Sequence, residues 1–152
     1  MPELKTSLAL APGAGTSYAA GPSRVTVKAG VQDTAGKLSV IEYVAAPGFP
    51  GPGKHVHPSF DEYFYVLGGR ARFLLGDETS DLDAGGSVFA SGDQPHTFAN
   101  PFDEPLKLMI VCQPGGFDEF VAEVAAAAAD GRASDPGFMP ALWERHGMSP
   151  VD

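Results

Sequence analysis

HVHPSFDEYFYVLGG, residues 55–69, places two of the chain's four histidines one residue apart, with a carboxylate, Glu62, five residues after the second. On an extended chain, side chains at i and i+2 share a face, so His55 and His57 point the same way. Two imidazoles converging on one spot suit a metal ion between them. Glu62 lies an odd number of residues from His57 and belongs on the opposite face of a straight strand. Pro58 and Ser59 favour a turn or bulge. A register slip of one residue there returns Glu62 to the histidine face, with Phe64 and Val66 following on the same side.

Outward from this stretch the chain reads as strands separated by turns. Gly68-Gly69 is a hairpin signal, after which ARFLLG (71–76) returns. ETSDLDAGG (78–86) holds a short strand and a turn, SVFASGDQPHTFANP (87–101) holds two short strands about Gly92, and LKLMIVCQ (106–113) is the last clear strand. Upstream, RVTVKAG (24–30) and KLSVIEYVAA (37–46) alternate as strands do, whereas PGFPGPGK (47–54) holds too much Pro and Gly for any regular element. After residue 115 the pattern becomes helical. In FDEFVAEVAAAAAD (117–130), Phe117, Phe120, Val121 and Val124 share one face and Gly131 is a C-terminal stop. PALWERHG (140–147) adds a further turn or two, with Trp143 packing inward. The expected plan is an N-terminal arm over residues 1–23, loosely ordered or pinned at a sheet edge. An all-β barrel of eight or nine strands follows over 24–115, and a short helical tail over 116–152. Successive strands joined by hairpins close into a barrel or a two-sheet jelly roll.

Composition narrows the function. The 152 residues suit one domain, and 19 Gly with 14 Pro demand frequent turns. A net charge of −9 and the lack of any basic run argue against nucleic acid and anionic membrane surfaces as partners. The apolar start, LALA, is broken at Pro12 and Gly13 and preceded by Glu3, so no secretory leader is expected. No apolar run reaches spanning length, and the cytoplasm is the default location. The single cysteine, Cys112, lies in an apolar strand and reads as a small buried hydrophobe.

The third histidine of interest, His96, stands on another strand of the barrel, with Phe98 and Asn100 on its face. Three histidines and one carboxylate form a mixed N/O set suited to one divalent transition metal, Fe, Ni, Cu, Mn or Zn, with coordination positions left open. His146, near a helix C-terminus, reads as structural. Tyr43, Phe64, Phe73, Phe89, Phe98 and Met109 are candidates to line an apolar pocket, although core packing accounts for most phenylalanines in such positions.

The stretch over residues 55–69 resembles the first cupin motif, in which His-x-His is followed after four residues by Glu and after six more by Gly: here His55, His57, Glu62 and Gly69. GDQPHTFAN resembles the second, with Gly92, His96 and Asn100. Ala90 stands where that motif usually has proline, and three residues rather than two separate its glycine from its histidine. The resemblance implies a double-stranded β-helix, the jelly-roll cupin barrel, with a metal held by His55, His57, Glu62 and His96. From about Arg24 onward the chain is similar to single-domain cupins of the quercetin dioxygenase kind. That implies a dioxygenase acting on a small enolic or aromatic, flavonol-like substrate with O2, Glu62 serving as both ligand and general base. The alternatives on the same scaffold are a non-oxidative isomerase, cyclase or lyase, and a non-catalytic small-molecule binder. A homodimer is expected, because open sheet edges and the arm need cover.

Overall fold

The computed structural model describes residues 7–152; the first six residues of the expected arm lie outside that range. Two antiparallel sheets face each other. One has six strands: β1 (Thr16–Ala20), β2 (Ser23–Ala29), β3 (Ser39–Ala45), β10 (Leu106–Gln113), β5 (Asp61–Gly68) and β8 (Ser87–Ala90), neighbours in that order. The other has five: β11 (Ser149–Pro150), β4 (His55–Val56), β9 (His96–Ala99), β6 (Arg70–Leu75) and β7 (Glu78–Asp83). Helix α1 (Val31–Thr34) is a single turn between β2 and β3, while α2 (Phe117–Asp130) and α3 (Phe138–Arg145) form the C-terminal tail. Among the described residues no helix is long and apolar enough to cross a membrane.

The core lies between the sheets. Ile41, Phe64, Val66, Phe73, Leu106, Leu108 and Ile110 are almost wholly excluded from water. Strand alternation puts them there: in β5, Glu62, Phe64 and Val66 point inward while Tyr63, Tyr65 and Leu67 point outward.

Thr16–Ala20, inside the expected arm, pairs in full register with β2 as an edge strand, the edge-pinned form of that expectation. Two other expectations change in the fold. Gly68-Gly69 is no hairpin turn: β5 pairs with β10 and β8, whereas β6 pairs with β7 and β9. The glycines instead carry the chain from one sheet to the other. At Gly69, with φ of +76°, a Cβ would run into the Pro105 carbonyl, so both conformation and space call for glycine. Likewise β8 and β9, on either side of Gly92, belong to different sheets. Two-residue hairpins join β1 to β2 through Gly21 and Pro22, and β6 to β7 through Gly76 and Asp77.

Candidate metal centre

The opening stretch reaches the site by a route other than a bulge. His55 lies in β4, in the five-stranded sheet, directly opposite His96 in β9. After His57 the chain turns, with the Phe60 N–H donating to the His57 carbonyl at 3.1 Å, and it enters the opposite sheet as β5. Glu62 therefore meets the histidines across the barrel interior, having changed sheets rather than slipped register within one. All four residues are buried, and one ligand atom from each lies within 4.8 Å of the others.

The donor chemistry shows what this cluster can hold. The Nδ1 of His55 is 2.7 Å from the Gly53 carbonyl, that of His57 is 2.8 Å from the Phe60 carbonyl, and that of His96 is 2.7 Å from the Gln94 carbonyl. A carbonyl only accepts, so each ring carries its hydrogen on Nδ1 and turns the Nε2 lone pair inward. The Nε2 atoms of His57 and His96 stand 3.0 Å apart, and each is 3.0 Å from Glu62 Oε2. Lone pairs and a carboxylate at that spacing require positive charge among them: a proton on an imidazole, or a metal ion. Two bonds of ~2.1 Å at a right angle place their ligand atoms about 3.0 Å apart, and a tetrahedral pair about 3.4 Å. The residues thus fit a divalent transition ion. The backbone carbonyls that fix the three tautomers are the outer-shell partners such a site needs.

Without the ion, the pair His57 and Glu62 shares the charge. Burial pushes the His57 pKa down, but the Glu62 hydrogen bond and charge outweigh it and hold the group above its ordinary value. Burial pushes Glu62 up, yet hydrogen bonds from His57 and His96 leave it below the usual carboxylate range. His55, desolvated and beside His96, is lowered.

A cavity of about 330 Å³ opens from this cluster, with His55, Glu62 and His96 at its polar end. Of the six expected pocket residues, Tyr43, Phe64 and Phe98 line it. Phe73 is buried in the core beside Phe64 and does not reach the cavity. Phe89 and Met109 are corrections. Both are on the outer face of the six-stranded sheet, Phe89 being 62% exposed, because Val88 and Ala90 in β8 and Leu108 and Ile110 in β10 take the inward positions. Strands β1, β2 and β10 add Tyr18, Val25 and Ile110, and part of the wall comes from outside the barrel: Phe117, Phe120 and Val124 of α2, and Met139 and Trp143 of α3. Trp143 meets the His55 ring edge-on at 5.4 Å. The helical periodicity marked Phe117, Phe120 and Trp143 as buried, but no local signal ties a tail helix to a barrel mouth.

Two other expectations concern side chains away from the site. His146 is bound to Glu123 at 2.9 Å, tying α3 to α2. Cys112 is fully buried, and burial pushes its thiol well up.

Residues 42–112 match the cupin domain family. Comparison with curated proteins finds no match. Among solved structures, KdgF from a Halomonas species superposes with a TM-score of 0.66 at 16% identity, covering 75% of this chain and 99% of that one. A double-stranded β-helix protein from Klebsiella pneumoniae gives 0.52 at 27% identity, covering 60% and 76%. The polyketide cyclase RemF from Streptomyces resistomycificus gives 0.53 at 20%, covering 60% and 64%. With the family match running from β3 into β10 and over both ligand-bearing stretches, the two-sheet barrel of this chain has the cupin jelly-roll fold.

Proposed function

We propose that the protein is a metal-dependent dioxygenase acting on a small, largely apolar enolic or aromatic substrate of the flavonol type. The character of the cavity carries this reading. Its aromatic and aliphatic walls converge on the single polar end formed by His55, Glu62 and His96, and among the described residues no Lys or Arg lines it. A sugar phosphate or a small dicarboxylate would need cationic partners to replace its hydration. A flat, uncharged ring system needs only the walls already there. The volume lies at the small end of the ~300–1,000 Å³ typical of ligand sites, which limits the substrate to one compact molecule.

A bound divalent ion supplies Lewis acidity, lowering the pKa of a substrate hydroxyl and holding it beside O2. The chain's own residues do the rest. Glu62 Oε2 is turned toward His57 and His96, while Oε1 has no hydrogen-bond partner among the described residues and can accept the substrate's proton. The Tyr43 hydroxyl, pushed up to about 12 by burial, stays protonated and serves as a donor to a substrate oxygen. Trp143 and the α2 phenylalanines close the mouth and exclude water from the reacting end.

The test is oxygen uptake by the protein loaded in turn with Fe(II), Mn(II), Ni(II) and Cu(II), offered flavonols and simple enols. The reading expects uptake matched to substrate loss with at least one metal, abolished in His96→Ala and strongly reduced in Glu62→Gln. Turnover that proceeds equally well without oxygen would replace it with an isomerase, cyclase or lyase. Tight substrate binding with no turnover would replace it with a binding role.

A further inference from the structure

A groove of about 860 Å³ runs along α3, between that helix and the turn that follows β4, with Pro58, Pro140 and Pro150 in its walls. The cavity that ends at His55, Glu62 and His96 lies behind it. Three side chains line both spaces: Met139, Trp143 and Met148. They form the partition between the groove, which is open to water, and the polar end of the cavity.

The frame around this partition is fixed. In α3, Leu142 is wholly buried, and Arg145 and the adjoining His146 are each bound to Glu123 of α2 at 2.9 Å. In α2, Asp118 accepts the Val31 N–H at 3.2 Å and the Ser39 hydroxyl, and Phe120 and Val121 are packed into the core. Met148 is buried, and its N–H donates to the Trp143 carbonyl at 2.9 Å. Trp143 and Met139 differ from these neighbours. Both are half-buried, and each faces open space on the groove side into which it can turn. An indole swings about two side-chain bonds, and methionine is unbranched and adaptable. Moving α3 as a body would instead break both contacts to Glu123 and bring Leu142 into water.

We propose that Trp143, with Met139 beside it, is the side-chain gate through which substrate passes from the groove into the cavity, and that Trp143 sets the size of molecule admitted. This rests on the reading of the cavity as the site of a compact, uncharged aromatic substrate. The groove suits the same molecules. Among the described residues lining it, Glu144 is the only charged one. A lone carboxylate at the entrance turns anions away, and the prolines and the indole offer an apolar surface on which a flat ring can settle. The closed indole meets His55 edge-on at 5.4 Å, so a gate that shuts behind the substrate excludes water next to the reacting end.

Metal extraction tests the gate without relying on turnover. The full-length protein loaded with Fe(II) is mixed anaerobically with 1,10-phenanthroline, a flat, uncharged chelator whose Fe(II) complex is coloured, and separately with its bulkier 4,7-diphenyl derivative. Wild type should yield iron faster to the smaller chelator. Trp143→Ala should narrow the ratio of the two rates at least ~5-fold, and Trp143→Phe, which keeps a ring in the partition, should restore most of the discrimination. A ratio of rates separates access from any change in metal affinity, which alters both rates alike. Met139→Ala gives the same readout, in the same direction, should Trp143→Ala fold poorly. An unchanged ratio in both Trp143→Ala and Met139→Ala overturns the proposal. So does a ratio narrowed by Tyr18→Ala and not by Trp143→Ala, which would put the entrance at β1. A ratio that shifts as expected in a protein that turns over no flavonol would support the gate and remove the dioxygenase reading.

Discussion

Replacing Gly92 with alanine should damage stability and metal affinity together, although Gly92 contributes no ligand. Gly92 lies in the loop between β8 and β9, where its carbonyl accepts the His57 N–H at 2.9 Å and its own N–H donates to Asp61 Oδ1 at 3.0 Å. A Cβ here would overlap the carbonyl oxygens of both His57 and Phe60 and stand 3.1 Å from the His57 carbonyl carbon. Those atoms are backbone and cannot rotate away. The loop must move, at a cost of about 1–3 kcal/mol for overpacking plus about 0.5–1.5 kcal/mol for each of the two hydrogen bonds it strains. The total is about 2–6 kcal/mol, which for a chain of this length lowers the melting temperature by about 5–20 °C. The Phe60 carbonyl also orients the His57 ring. Displacing that outer-shell contact should weaken metal binding ~10–100-fold. Calorimetric melting with and without metal, followed by competitive metal titration, reads both quantities. A Gly92→Ala protein that melts within ~2 °C of wild type and binds metal equally well would refute this account of how the two ligand-bearing strands are clamped.

Metal uptake near neutral pH should release protons, because the metal-free site keeps His57 protonated above its ordinary 6.5 beside a Glu62 held below 4.5. In the metal-free protein, the Glu62 contribution to stability is present above pH 4.5 and is lost as pH falls through its depressed pKa. That of His57 is fully present below pH 6.5 and is lost as pH rises through its raised pKa. Calorimetric titrations in buffers of different ionisation enthalpy should give different apparent heats, and apparent metal affinity should fall on acidification; identical heats would contradict the charge assignment. Trp143, the chain's single tryptophan, meets His55 edge-on at 5.4 Å, so stoichiometric Cu(II) should quench most of its emission; unchanged emission at full occupancy would place the ion elsewhere. Cys112 should resist thiol reagents in the native protein and react once unfolded, since it is buried with its thiol pushed well up; rapid native labelling would show that β10 opens.

The ligand set was legible because histidine is scarce here and its spacing is short-range. His55 and His57 share a strand face whatever lies beyond them, and His96 stands in a turn-flanked strand of its own. How Glu62 joins them was not legible. A one-residue bulge and a change of sheet both correct the facing of a residue five positions away, and only the pairing of β4 with β9 and of β5 with β10 separates the two. The same ambiguity lies behind Gly68-Gly69, where a glycine pair serves a hairpin or a crossing equally well. Phe89 and Met109 were misplaced because both phases of SVFA and LKLMIVC are largely apolar, so alternation does not fix which phase is inward. Pairing across the sheet does, setting Ala90 opposite Glu62 and thereby sending Phe89 outward. The cavity wall supplied by α2 and α3 depends on contacts across more than 50 positions of sequence, beyond the reach of any periodicity.

The most direct test of the central claim is elemental analysis of the protein purified without chelators, run beside His96→Ala. The account predicts close to one divalent transition-metal ion per chain in the wild type and loss of most of it in the variant. Wild-type protein that carries no metal, and takes up none when Fe(II), Mn(II), Ni(II), Cu(II) and Zn(II) are supplied in turn, would contradict it. The inward-facing lone pairs of His55, His57 and His96 would then be held by a proton alone.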